Sequence, residues 1–201
     1  MKTQETSPTE NAKASDQPIV RKSPQNVIVA GIARSGMTAM CQLLSAGGLR
    51  VAGEYPAFEP FDVGEVPWGK IDGQAVKLVD SHRHLPPEGD YAVIQMRRND
   101  KIEQAKSTQK FVRVMMQGMI PEPSIGDLVA SFQRDYRVID DWANRQRLHC
   151  RISFEDLLWS PKGVAQKIRG FLGFPLDVEA AGAVIIRRAP ECHPTLLEAS
   201  M

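Results

Sequence analysis

Eight residues, Gly31-Ile-Ala-Arg-Ser-Gly-Met-Thr38, narrow the architectures open to this chain. They follow Asn26-Val-Ile-Val-Ala30, a short apolar run that reads as a buried parallel strand. A helix is expected from about Thr38 to Ala46, closed by Gly47-Gly48. A glycine-bearing turn between strand and helix aims backbone N–H groups and the positive helix end at an anion. Against the Walker pattern G-x-x-x-x-G-K-[ST], Gly31, Gly36 and Thr38 fit, but Met37 stands in the lysine position and cannot reach a β- or γ-phosphate. The cation sits instead at Arg34, two residues before Gly36. Such a loop suits one terminal phosphate held by backbone, Ser35 and Thr38, with Arg34 leaning over the group being transferred. The competing reading is an ordinary strand–turn–helix corner.

Beyond the loop, apolar runs alternate with amphipathic stretches. Val76-Lys-Leu-Val-Asp80, Tyr91-Ala-Val-Ile-Gln-Met96 and His149-Cys-Arg-Ile-Ser-Phe154 read as strands, and Leu49-Arg-Val-Ala52 as a shorter one. Ile102, Ala105, Val112, Met115 and Met119 keep helical spacing. So do Leu128, Val129, Phe132, Tyr136, Ile139 and Trp142, behind a capping box at Ser124-Ile-Gly-Asp127. Ser160-Pro161 opens another helix, as N-cap and first-turn residue, which ends near Phe171-Leu-Gly173. Asp177 caps a last short helix, ended by Ile186-Arg-Arg-Ala-Pro190. The alternation predicts an α/β fold: a three-layer P-loop architecture whose mostly parallel sheet of about four to five strands is flanked by helices. Residues 53–75, rich in Gly and Pro, read as loop. Residues 1–25 are expected to form a polar, disordered tail, and residues 26–201 a single domain.

Composition removes several function classes. The net charge is +1, so a nucleic-acid coat is not expected, while a local basic pocket stays open. No run of about 18 apolar residues exists, so no membrane span is expected. The first residues lack the apolar core of a secretory signal. Cys41, Cys150 and Cys192 show neither CxxC nor zinc-ligand spacing, which points to a reduced, cytoplasmic setting. Nothing in the sequence sets an oligomeric state.

The loop resembles the 5′-phosphosulfate loop of the sulfotransferases, G-x-P-[RK]-S-G-T-[TS]. Arg34, Ser35, Gly36 and Thr38 match; Ala33 replaces the proline, and Met37 replaces the first threonine but keeps its N–H. The stretch from Tyr91 to Ser107 resembles the family's 3′-phosphate motif, in which a strand-end arginine and a helical serine grip one phosphate. Here a strand delivers Arg97 and Arg98 to the sheet edge where parallel sheets bind ligands. Ser107 lies nine residues after Arg98, against eight in the family. Lys77-Leu-Val-Asp-Ser-His82-Arg-His84-Leu-Pro86 resembles the segment that carries the family's basic histidine. Ser81 aligns His82 with it, and Leu85-Pro86 aligns His84; His82 is preferred as nearer the strand end. A histidine suits proton removal from an alcohol. Glu59, in Ala57-Phe58-Glu59, is the rival base, ahead of Asp80 and Glu54. Phe154-Glu155-Asp156-Leu157, Pro161 and Ile168-Arg-Gly-Phe-Leu-Gly173 resemble the signature [YF]-E-D-L…P…I-x-x-F-L-G, read here as architectural.

The resemblance implies a transferase that moves a sulfuryl group from PAPS to a hydroxyl or amine and releases PAP. Ala33, Arg34, Ser35, Gly36, Met37 and Thr38 would hold the 5′-phosphosulfate, with Arg98 and Ser107 on the 3′-phosphate. Catalysis would fall to Arg34 and to His82 or Glu59, without a metal. The acceptor is expected to be a small or carbohydrate-like molecule. Tyr55, Phe58, Phe61 and Trp68 are candidate walls for it; Arg187 or Arg188 could fold back on the 3′-phosphate, but a simple exposed arginine pair is the preferred reading. Two alternatives stand beside this reading. One is a catalytically silent module of the same fold that binds a phosphoadenosine ligand or a protein partner. The other is a degenerate P-loop kinase or NTPase, with Val76 to Asp80 as its Walker B strand.

Overall fold

The computed structural model describes residues 26–59, 66, 68, 71, 73–116 and 121–187. The expected tail at 1–25, Phe61, Met119, Arg188 and Cys192 lie outside them. Four strands, β1 (Asn26–Gly31), β2 (Ala75–Val79), β3 (Tyr91–Arg97) and β4 (Leu148–Ser153), form a parallel sheet in the order β2-β1-β3-β4. Ile28 sits between Val76 and Val93 in register, both fully buried. A strand covered on both faces has no polar side to show, hence the continuous apolar runs.

Pleating sends alternate residues to opposite layers. Val27, Val29, Ala92, Ile94 and Met96 pack under α1 (Met37–Ala46), α5 (Pro161–Leu172) and α6 (Val178–Ala183). Ile28, Ala30, Val76 and Val93 face the other way, toward Trp142 of α3 (Ile125–Ala143). Phe132, Tyr136 and Ile139 of α3 enclose Ile32 of the loop and Ala105 of α2 (Lys101–Met116). Each fully buried aliphatic side chain here contributes about 1.5–3 kcal/mol.

Several local expectations change. Leu49-Arg-Val-Ala52 is not a strand: Val51 alone bridges Ala75, and the chain then turns at Gly53. Ser160 precedes α5 without a side-chain cap bond. The Ser124 box is half formed, since the Ser124 hydroxyl accepts from the Asp127 N–H but donates to the Asp127 carboxylate. The last helix stops at Ala183, so Ile186 and Arg187 are not helical. A six-residue helix, α4 (Phe154–Trp159), was not foreseen; Ser153 caps it.

The topology places the site. From β1 the chain moves to β2 on one side, then crosses to β3 on the other. Ligands of open parallel sheets bind at such a switch point, beyond the C-terminal strand ends. Gly31, Val79 and Arg97 all end there.

Candidate functional site

The loop after β1 is held open by backbone geometry. Gly36 is the N-cap of α1 at φ 93°, and no side chain caps the helix. The first-turn N–H groups therefore have no helical partner and face the loop. Glycine is required at this position twice over, because a Cβ would strain the left-handed backbone and fall 2.5 Å from Phe154 Cδ2. Ser35 Oγ is buried and makes no hydrogen bond of ordinary geometry; the Tyr136 hydroxyl beside it is already shared with Gln104. A buried, unserved hydroxyl at the mouth of a helix suits an anion's oxygen.

Ala33 now has a physical account. Where the resembling family carries proline, Ala33 has an N–H, and it donates to Asp80 Oδ1 at 3.1 Å. Gln104 Nε2 holds the Ala33 carbonyl at 3.0 Å. Ser81 Oγ accepts the Gly31 N–H at 3.0 Å and donates to the Leu78 carbonyl. The end of β2 thus braces the loop from one side and α2 from another. Asp80, the residue read as a Walker B aspartate, spends its carboxylate on this brace.

Lys77 is the residue that sequence reasoning passed over. It sits inside β2, buried, and its ammonium donates to Thr38 Oγ1 at 3.2 Å, to the Ala57 carbonyl and to Glu59 Oε1. A cation from a neighbouring strand therefore reaches the loop that lacks a lysine of its own. It also brings Glu59 to Thr38. The signal was a lone lysine in an otherwise apolar strand, which needs a buried partner. Cys41 lies near this pair, but burial pushes its thiol up to about 12 and leaves it an inert core residue.

Arg34 adopts φ 65° and donates from Nε to Ser107 Oγ at 3.0 Å. Its guanidinium also lies 5.6 Å from the centre of the Phe111 ring. Ser107 thus meets the loop arginine, while Arg98 rests on the Phe154 ring, 5.0 Å from its centre. Glu155 accepts from the N–H groups of Asn99 and Asp100, fixing the chain just after Arg98. A cleft of about 380 Å³ opens here, lined by Arg97, Arg98, Lys101, Gln133, Tyr136 and Arg137 among others. Burial and then Arg97 press Lys101 down to about 8, against the upward pull of Glu155 and Asp140. Burial raises the Tyr136 phenol, so it stays neutral.

The base candidates separate. Glu59 is tied through Lys77 to the loop. His82 turns to α3: its Nε2 lies 3.7 Å from Asp135 Oδ2 and accepts from Arg83, and its Nδ1 is buried without a partner. His84 is exposed. Of the expected acceptor walls, Tyr55 is exposed and stands edge-on to the buried Phe58, whereas Trp68 packs edge-on against Tyr91 in the core. Arg187 stacks on Trp159, 3.3 Å from its ring centre, rather than folding back on the cleft. Among the described residues no group of three His, Cys, Asp or Glu side chains could hold a metal, and no helix is long and apolar enough to cross a membrane.

The fold is similar to that of a solved sulfotransferase. The mouse sulfotransferase SULT7A1, solved in complex with PAP, matches with a TM-score of 0.52 at 14% identity, over 83% of this chain. The chain spans 64% of the length of that enzyme. No family model and no curated protein matches the sequence.

Proposed function

We propose that the protein transfers a sulfuryl group from PAPS to a hydroxyl or amine of a small or carbohydrate-like acceptor, releasing PAP. One observation carries this reading: the Phe154 ring touches the loop at Gly36 and supports Arg98 on the cleft. An anion loop and a cationic cleft thus stand side by side at one sheet edge. That arrangement suits a nucleotide phosphorylated at both its 5′ and 3′ positions. PAP, the ligand of the mouse structure, is such a nucleotide.

The donor supplies the sulfuryl group. The acceptor oxygen or nitrogen bonds to sulfur as the sulfur–oxygen bond to the 5′-phosphate breaks. Arg34 and the first-turn N–H groups of α1 stabilise the negative charge that gathers on the phosphate side. Lys77 holds Thr38 and Glu59 together at the loop. Glu59, paired with that ammonium, takes the acceptor proton. His82, facing Asp135, is the less suitable base.

Calorimetric titration with PAP, with ATP plus magnesium as comparison, tests the donor site. Micromolar PAP binding is expected, and Arg98→Ala should weaken it. Arg34→Ala should abolish transfer from isotope-labelled PAPS while circular dichroism is unchanged. Undiminished turnover in that variant, or well-folded protein that ignores PAP, overturns the reading. PAP binding without transfer across a broad acceptor panel supports the silent module instead, and tight magnesium-dependent ATP binding the kinase.

A further inference from the structure

The cleft at the end of β3 carries more positive charge than its own carboxylates answer. Arg97 and Arg151 share Asp140, and Arg97 still leaves a buried Nε without a partner. Glu155 is occupied with backbone N–H groups. Arg98 lies on Phe154, and the Lys101 ammonium lies 4.1 Å from the centre of the Tyr136 ring while donating to the Arg98 carbonyl. Arg137 lines the same cleft from α3. Among the described residues none of Arg98, Lys101 and Arg137 has a carboxylate in salt-bridge contact. Such a cluster is repulsive when empty and is relieved by a compact dianion.

We propose that Lys101 and Arg137 complete the subsite for the donor's second phosphate, from the α2 and α3 walls, and set its selectivity for a nucleotide bearing a phosphate monoester on the ribose. This rests on the PAPS reading above. Arg98 and the half-buried Arg97 form the floor of the subsite. Lys101 is the adjustable member. The charged and titratable groups facing it are Arg97 at the end of β3 and Arg98 just after it, Tyr136 and Asp140 from α3, and Glu155 from α4. Arg137 shares its cleft. These surroundings and burial hold its ammonium down to about 8. A phosphate monoester is a dianion above about pH 6, so over the alkaline range only the protein changes charge.

The test compares PAP with adenosine 5′-monophosphate, which lacks the second phosphate, by calorimetry. Lys101→Met and Arg137→Gln should each weaken PAP roughly tenfold, the range of one charge-assisted hydrogen bond. Adenosine 5′-monophosphate should bind both variants as it binds the parent protein, which also reports that they are folded. Parent affinity for PAP should fall as pH passes about 8, because Lys101 must then be recharged to bind. Lys101→Arg should keep its affinity over the same range. Equal losses for both nucleotides, or a flat parent profile with Lys101→Met unchanged, overturn the assignment. A parent protein that binds adenosine 5′-monophosphate and PAP equally also overturns it. Absence of PAP binding altogether removes the donor reading itself.

Discussion

Three non-glycine residues of the described chain hold left-handed backbone, and all three border the loop. Arg34 (φ 65°) is in it, Asp80 (φ 50°) braces it, and Phe58 (φ 53°) precedes Glu59. Each such conformation costs about 1–3 kcal/mol and persists only where its surroundings hold it. Here the holds are visible: Ser107 on Arg34, the Ala33 N–H on Asp80, and for Phe58 burial plus a bond from its N–H to the Glu54 carbonyl. The strain at Phe58 turns the next residue toward Lys77. At this scale the choice of base is decidable. Glu59→Gln should lower kcat roughly 100- to 10,000-fold, the range for loss of a general base. His82→Asn should change it by less than about threefold, since His82 faces α3 rather than the loop. Steady-state rates for the two variants with one acceptor settle the assignment.

Among the elements, the short helix α4 does most to join the site. Its first residue, Phe154, fills the space beside Gly36 and supports Arg98, and its second, Glu155, pins the backbone beyond Arg98. Gly36→Ala should therefore destabilise the protein by roughly 2 kcal/mol or more, from left-handed strain plus overpacking. A lower urea midpoint at unchanged slope is the expected result. The sheet, the two long middle helices and the loop were legible in the sequence, because buried strands and amphipathic helices leave periodic patterns. α4 was not, since six residues are too few to show a period. Leu49 to Ala52 read as a strand because three of the four residues are apolar, but the pairing is a single bridge, with the Arg50 carbonyl and the Ala52 N–H both bonded to Ala75, before Gly53 turns the chain. Arg34 and Arg98 were legible as loop and strand-end cations. The bond between Arg34 and Ser107 was not, for it joins residues 73 apart through folding alone. Lys77 was seen as part of a strand and of the histidine segment but given no role, because pattern reading gives polarity without partners.

For the molecule as a whole, the sheet order sets the cost of the site. The α1, α5 and α6 layer buries one apolar core and the α2 and α3 layer two smaller ones, while the strand ends between them collect cations. Lys101 makes this measurable. Its ordinary value is 10.5 and the folded protein holds it at about 8, so the unfolded chain binds the extra proton between those values. Stability from this group thus rises as pH climbs from about 8 to 10.5, and below that window it is a constant penalty. Ligand-free Lys101→Met should melt above the parent protein at pH 7, by a margin that narrows through that window. Thermal scans across pH check both the sign and the narrowing. Lys77 poses a different constraint, one of supply. An ammonium has three protons to give, and Thr38, Ala57 and Glu59 already take them. Any new oxygen served by Lys77 must displace one of these acceptors. A new bond from Lys77 in the loop and the release of Thr38, Ala57 or Glu59 are then a single event, written into the valence of one nitrogen.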